Sequence, residues 1–373
     1  MAPLPTPHEQ LHKLLTFVSK SGSSDLHLKV GLPPYLRVGG HLRALDSPVL
    51  PSSDYIEQMM AELIPAGREQ EYHSQGGLDF AFLAESGDRF RVSVFRSDGQ
   101  MHVSLRRVQH QIPDFDQLHL PKIYRDTITK SNDGLILVSG VTGSGKSSTL
   151  AAMVDAINCH RSMHIITIED PIEYRFQSKK SIISQREIGI DVPNFPVALR
   201  AVVRQDPDCI LIGELRDKET ILAAVQSAET GHLVLASVHC SDAAQTFSRI
   251  LEFFPHDEHA FIRSSLATSL RAIMCQRLVP GAEPGQRFPA TEVLLNNSIV
   301  KEKILSERDN DIPAILHVCR EEGMRDFTHS LYMLIEEGRV GRKVAMDYAP
   351  SREALASLLK GIDTGSEGLI GRT

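Results

Sequence analysis

Leu11, Leu14, Leu15 and Val18 follow the i, i+3, i+4, i+7 spacing of one helix face, and Gly22 offers a stop. The texture then changes to alternation. DLHLKV and PYLRVGGHLRAL alternate apolar and polar positions about a Gly-Gly turn, which predicts a hairpin. A second helix is expected near 53–63. LDFAFL, DRFRVSVF and MHVSLRRV alternate again, with glycine-containing turns between them. After a proline-rich lead-in at 1–7, residues up to 110 therefore read as a small α+β domain around an antiparallel sheet. Residues 111–125, with two prolines and no sustained period, read as a linker.

Beyond the linker the apolar positions stop alternating and become continuous. GLILVSG, HIITIE, CILIGE and HLVLASV are separated by helical stretches. Continuous runs predict strands covered on both faces, the mark of a parallel sheet with helices on each side. From about 255 onward the pattern is mostly helical, ending in SREALASLLKGI and a loose DTGSEGLIGRT. The second domain is thus expected over 126–373.

At 373 residues two or three domains are expected, and 42% hydrophobic with 23% charged residues fits a globular chain with more than one core. The net charge of −7 disfavours indiscriminate binding to nucleic acid. The five cysteines form no C-x-x-C pair, which predicts reduced thiols in a cytoplasmic protein and no zinc ribbon. No apolar run approaches the roughly 18 residues of a membrane-spanning helix.

Gly140 to Ser147, GVTGSGKS, fits G-x-x-x-x-G-K-[ST] between a predicted strand and a predicted helix. Thr142, Gly143, Ser144, Gly145, Lys146, Ser147 and Ser148 are the expected phosphate cradle, with Lys146 reaching the β- and γ-phosphates of ATP and the Ser147 hydroxyl holding Mg2+. DCILIGELRD ends a second strand at Gly213-Glu214, where many nucleotide hydrolases place Asp-Glu. Glu214 is expected to hold metal-bound water or orient attacking water, with helix capping as the plainer reading. ITIEDPIEY gathers Glu169, Asp170 and Glu173 at the same sheet edge, one of them a candidate general base; the residues alone do not choose among them. His239 follows the strand LVLASV on the ligand side and suits a γ-phosphate sensor. His232 enters from the opposite end, with a structural role or a subunit contact equally open. Arg89, Arg91, Arg96, Arg106 and Arg107 lie in or beside two strands of the small domain. They form either a solvated sheet face or a set that reaches a nucleotide on an adjacent subunit.

Four segments together give a more specific signal than the P-loop alone: GVTGSGKSS, TIEDPIEY, PDCILIGELRD and TGHLVLASVHCSDAAQTFSRILEFFP. Through them the chain resembles the type IV pilus retraction ATPases, the PilT family of the secretion ATPase superfamily. The resemblance implies a PAS-like N-terminal domain, a RecA-like P-loop ATPase core and a hexameric ring that binds ATP between subunits and domains. It implies that Glu173 matches the catalytic Glu and Glu214 the Walker B Glu. His232 and His239 match the two His-box histidines, and Arg91 and Arg106 the inter-subunit arginines. It implies a soluble motor at the inner face of the cytoplasmic membrane, acting on a platform protein there, with a paralogous pilus ATPase as a further partner.

Two departures stand out. The family's AIRNLIRE segment aligns with IVKEKILS, residues 299–306, where Leu305 and Ser306 replace Arg and Glu, and Cys240 replaces a usual Thr. They make an accessory, PilU-type or weakly hydrolysing regulatory ring the alternative to a main retraction motor. A nucleic-acid motor on the same core is the remaining alternative, against which the acidic charge argues.

Overall fold

The computed structural model describes residues 6–108 and 111–362; the tail DTGSEGLIGRT and most of the lead-in lie outside them. The chain divides into two compact units, Met1–Gln111 with Glu173–Arg175, and Ile112–Ile172 with Phe176–Thr373.

The first unit opens with the helix Pro7–Ser21. Thr6 caps it by accepting from the Glu9 amide (3.3 Å), Pro7 takes the first turn, and Gly22 ends it in the left-handed region at φ 66°. The predicted stripe Leu11, Leu14, Leu15 and Val18 is buried, each side chain contributing about 1.5–3 kcal/mol by leaving water. Six antiparallel strands follow: β1 (Asp25–Lys29), β2 (Tyr35–Val38), β3 (His41–Ala44), β4 (Gly77–Leu83), β5 (Arg89–Ser97) and β6 (Gln100–Val108), in the spatial order β3-β2-β1-β6-β5-β4. The two-residue turn between β2 and β3 needs positive φ at both Gly39 (59°) and Gly40 (88°). Along β5 burial alternates, with Phe90, Val92 and Val94 in the core and Arg89, Arg91 and Ser93 on the other face.

The second unit is a seven-stranded sheet: β7 (Gly134–Ser139), β8 (His164–Glu169), β9 (Ile182–Glu187), β10 (Cys209–Ile212), β11 (Leu233–Val238), β12 (Leu270–Pro280) and β13 (Arg287–Leu295). Their order is β13-β12-β7-β11-β10-β8-β9, parallel except where β13 runs antiparallel to β12. Both faces are covered. Leu135, Leu137, Val234 and Ala236 enter one core, while Ile136, Val138, Leu233 and Leu235 enter the other. This is why the strands read as unbroken apolar runs.

Beyond 255 helices predominate, beginning with His259–Ser269, but β12 and β13 interrupt them and extend the sheet by two strands. Residues 111–125, expected to be a linker, pack from Ile112 onward with the second unit. Phe115, Leu120 and Tyr124 are buried in the core of the second unit, and the helix Lys122–Lys130 begins within the segment. The prolines shape that segment without detaching it.

Candidate active site

Parallel pairing brings the exits of β7, β11, β10 and β8 to one sheet edge, where doubly wound sheets bind ligands. β7 leads into the P-loop. Gly140, at φ 156°, has no room for a Cβ, which would lie 2.4 Å from the Ser144 hydroxyl and 2.6 Å from the Gln276 carbonyl. Gly145, at φ 92°, starts the helix Lys146–His160 with no side-chain cap, leaving its first N–H groups directed at the loop. Lys146 is buried and its Nζ donates to the carbonyls of Gly140 (2.7 Å) and Val141 (3.2 Å). The Ser144 hydroxyl is buried without a hydrogen-bond partner. Bare backbone amides, a folded-back ammonium and an orphaned hydroxyl suit an anionic ligand such as a phosphate chain. Ser147 stands half-buried in the first helical turn, Ser148 beside it, and Thr142 and Gly143 are exposed.

Glu214 follows β10. Gly213 precedes it because a Cβ there would come within 3.3 Å of the Ile168 carbonyl, so the tight approach of β8 accounts for glycine at this position. Glu214 is not a helix cap. The cap of Lys218–Glu229 is Asp217, which accepts from the Thr220 amide at 2.8 Å. Glu214 is instead held from two sides. His239 Nε2, at the exit of β11, lies 3.2 Å from its Oε1, and Arg216 Nε donates to its Oε2 at 2.7 Å. Arg216 also reaches Asp170 (3.3 Å). Burial and the nearby Lys146 charge hold the His239 imidazole below its ordinary pKa, against the pull of Glu214. A neutral imidazole beside Lys146 can donate one N–H to an anion and accept at its other nitrogen.

The three acids expected to cluster part company. Glu169 is buried and accepts from Thr167 Oγ1 (2.6 Å) and Gln185 Nε2 (3.2 Å), so it serves the junction of β8 and β9. Asp170 pairs with Arg216. Glu173 is exposed and groups with the first unit. His232 is not brought to this edge. The length of β11 separates it from His239, and its Nδ1 lies 2.9 Å from the Ser227 carbonyl and 3.2 Å from Thr230 Oγ1. Arg91 and Arg106 face each other in register across β5 and β6. Arg106 Nε donates to Asp25 (2.9 Å), and Arg91 stands 3.9 Å from Asp79.

Two side chains of this site went unread in the sequence. Arg216 sits in the quoted ELRD, and its spacing of two from Glu214 was the available signal. Gln276, buried on β12, donates to the Ser144 carbonyl (2.8 Å) and accepts from Thr149 Oγ1 (3.0 Å), tying the P-loop and its helix to the sheet. Nothing local in CQRLV announces that.

A P-loop leaving an interior strand of a largely parallel sheet, with a carboxylate–imidazole pair at the neighbouring exits, defines a RecA-like nucleotide-binding ATPase core. The chain belongs to the Type II/IV secretion system protein family, which matches residues 8–331. It is 36% identical to the type IV pilus ATPase PilU of Pseudomonas aeruginosa over 94% of this chain and 91% of that protein. It is 35% identical to the type IV pilus retraction ATPase PilT of the same organism, over 90% and 97%. A solved structure of the pilus retraction motor PilT with bound ADP superposes with a TM-score of 0.85 at 38% identity, covering 92% of this chain and 98% of that one.

Proposed function

We propose that this chain is a Mg-ATP-driven motor of the type IV pilus machinery that powers pilus retraction. The observation that carries the reading is the Lys146–His239–Glu214–Arg216 edge in a chain related along most of its length to pilus retraction ATPases. Backbone amides of 142–148 and Lys146 would hold the β- and γ-phosphates of ATP. Ser147 and Glu214 would hold Mg2+, directly or through its water; the ion supplies charge neutralisation at the transferring phosphoryl group. His239, neutral with its single N–H on Nε2, would turn that donor from Glu214 to the γ-phosphate and return it on hydrolysis, passing the change to Glu214 and Arg216. Glu173 would orient the attacking water. Arg91 and Arg106 would act on the nucleotide of a neighbouring subunit in a homohexamer, their present acidic partners being exchanged for phosphate. His232 would serve the β11 entry turn or a subunit contact.

Among the described residues no helix is long and apolar enough to cross a membrane. The reading places the ring in the cytoplasm against an inner-membrane platform protein, with force transmitted through that contact. A deletion strain tests it: excess surface pili without twitching supports a main retraction motor, and bald cells contradict it.

A second reading, an accessory ATPase working beside a paralogue, is favoured by residues 299–306. The helix Ser298–Leu305 buries Val300 and Ile304 but exposes Ile299 and Leu305. Leu305 stands where the resemblance leads one to expect Arg, and Ser306 where it leads one to expect Glu. Normal piliation and near-normal motility in the deletion strain would support this reading.

A further inference from the structure

His8 and His12 stand four residues apart on the helix Pro7–Ser21, one turn above the other on the same face. Their rings lie 4.5 Å apart, centroid to centroid. Glu62, two residues past the helix Ser53–Met60, closes the group from a second element. Its Oε1 lies 3.0 Å from His8 Nε2 and 3.3 Å from His12 Nε2. All three ligand atoms fall within 4.8 Å of one another.

The geometry points to a transition-metal site of the zinc class on the N-terminal unit, with His8, His12 and Glu62 as ligands. Zinc binds imidazole nitrogen and carboxylate oxygen at about 2.0–2.2 Å in a tetrahedron, which separates two ligand atoms by roughly 3.3 Å. The two nitrogen–oxygen separations seen here already sit near that value, so the ion would need only small rotations of the exposed His8 and Glu62 and the partly buried His12. Two histidines at i, i+4 are the helical spacing that puts both ring nitrogens on one metal. Imidazole ligands favour zinc, copper or nickel over magnesium and calcium, which want oxygen donors. This keeps the site chemically distinct from the nucleotide centre. Three protein ligands leave a fourth position for water. The bound ion would clip the first helix to the turn after the second, a junction that otherwise relies on apolar packing and on the Tyr55 hydroxyl donating to Gln10 at 2.6 Å. Because the folded unit binds the ion and the unfolded chain has no preformed site, binding would raise the unit's stability by mass action.

The test uses the full chain, stripped of metal and free of nucleotide, at pH 7.5. Zn2+ is titrated calorimetrically and by thermal unfolding, and Co2+ is titrated with visible absorption as the geometric probe. The expected result is one equivalent of Zn2+, a raised unfolding midpoint and a tetrahedral Co2+ spectrum. His12→Ala and Glu62→Gln should each weaken binding at least tenfold. Glu62→Gln alters an exposed side chain, so it keeps the test interpretable if the histidine variant folds poorly. Absence of saturable binding, or unchanged Zn2+ affinity in Glu62→Gln, would overturn the site and leave the three residues as hydrogen-bonded surface neighbours.

Discussion

The two sheets of this protein use polar side chains in opposite ways. In the N-terminal unit they line a face: every second residue of β5 and β6 turns away from the core, and Arg106, though 69% exposed, anchors the nearly buried Asp25 carboxylate. In the RecA-like unit both faces are closed, so polar chemistry is confined to an edge. There Lys146, Glu214, His239 and Arg216 are supplied by the exits of different strands. A face presents groups to whatever approaches, and they can be satisfied one pair at a time. An edge brings together groups remote in sequence, and its groups depend on one another.

Lys146→Ala attacks the edge at its most buried charge and should lower ATP turnover on the order of 10³-fold, as loss of a preorganised electrostatic contact does. Wild-type turnover in that variant would show that the edge is not the catalytic region. Arg106→Ala sharpens the comparison from the other side. If the face acts on a neighbouring nucleotide, turnover should fall on the order of 10²-fold, and wild-type turnover should drop on dilution to monomers.

The same substitution has a purely structural signature. Burial pushes the Asp25 carboxyl up, but hydrogen bonds from Ser24 and Arg106 outweigh it and hold the pKa below its ordinary value. Its contribution to stability is therefore present above the ordinary carboxylate range and is lost as pH falls through the depressed value. Arg106→Ala should cost about 1–3 kcal/mol at pH 7 and less in acid, measured by denaturant unfolding across pH.

A smaller effect distinguishes core polarity from edge polarity. Glu292, buried on β13, accepts from the Ala243 amide at 2.8 Å and so holds the helix Ala243–Glu252 that follows the His239 loop. Burial, with Asp242 and Asp326 adding to it, pushes its pKa up to about 7. The neutral form is the one the fold prefers. Its contribution is full below the ordinary carboxyl pKa and is lost as pH rises through 7. Glu292→Gln keeps the acceptor and removes the charge. It should stabilise the protein at pH 8 by roughly 1–3 kcal/mol and change little at pH 5, with turnover near wild type.

The sequence was legible where one periodicity ruled a segment. The stripe Leu11–Val18, the Gly39-Gly40 turn and the four continuous strands needed no partner to be recognised. LRAIMCQRLVP and RFPATEVLL were not, because their apolar residues follow neither strict alternation nor an unbroken run, and β13 carries Pro289 inside the strand. The P-loop is a local motif, so Lys146 and Ser147 were found at once. Gln276 lies 127 residues from Thr149, and only the placement of β12 beside β7 gives it a role. Arg216 was adjacent to a recognised residue, but its grip on both Glu214 and Asp170 depends on β10 and β8 being neighbours.

The most direct test of the edge as an ATPase centre is Glu214→Gln, assayed for nucleotide binding and for Mg-ATP turnover in the same preparation. The account predicts that binding through Lys146 and the loop amides persists while turnover falls about 10²-fold or more. Turnover within twofold of wild type, with binding intact, would contradict it.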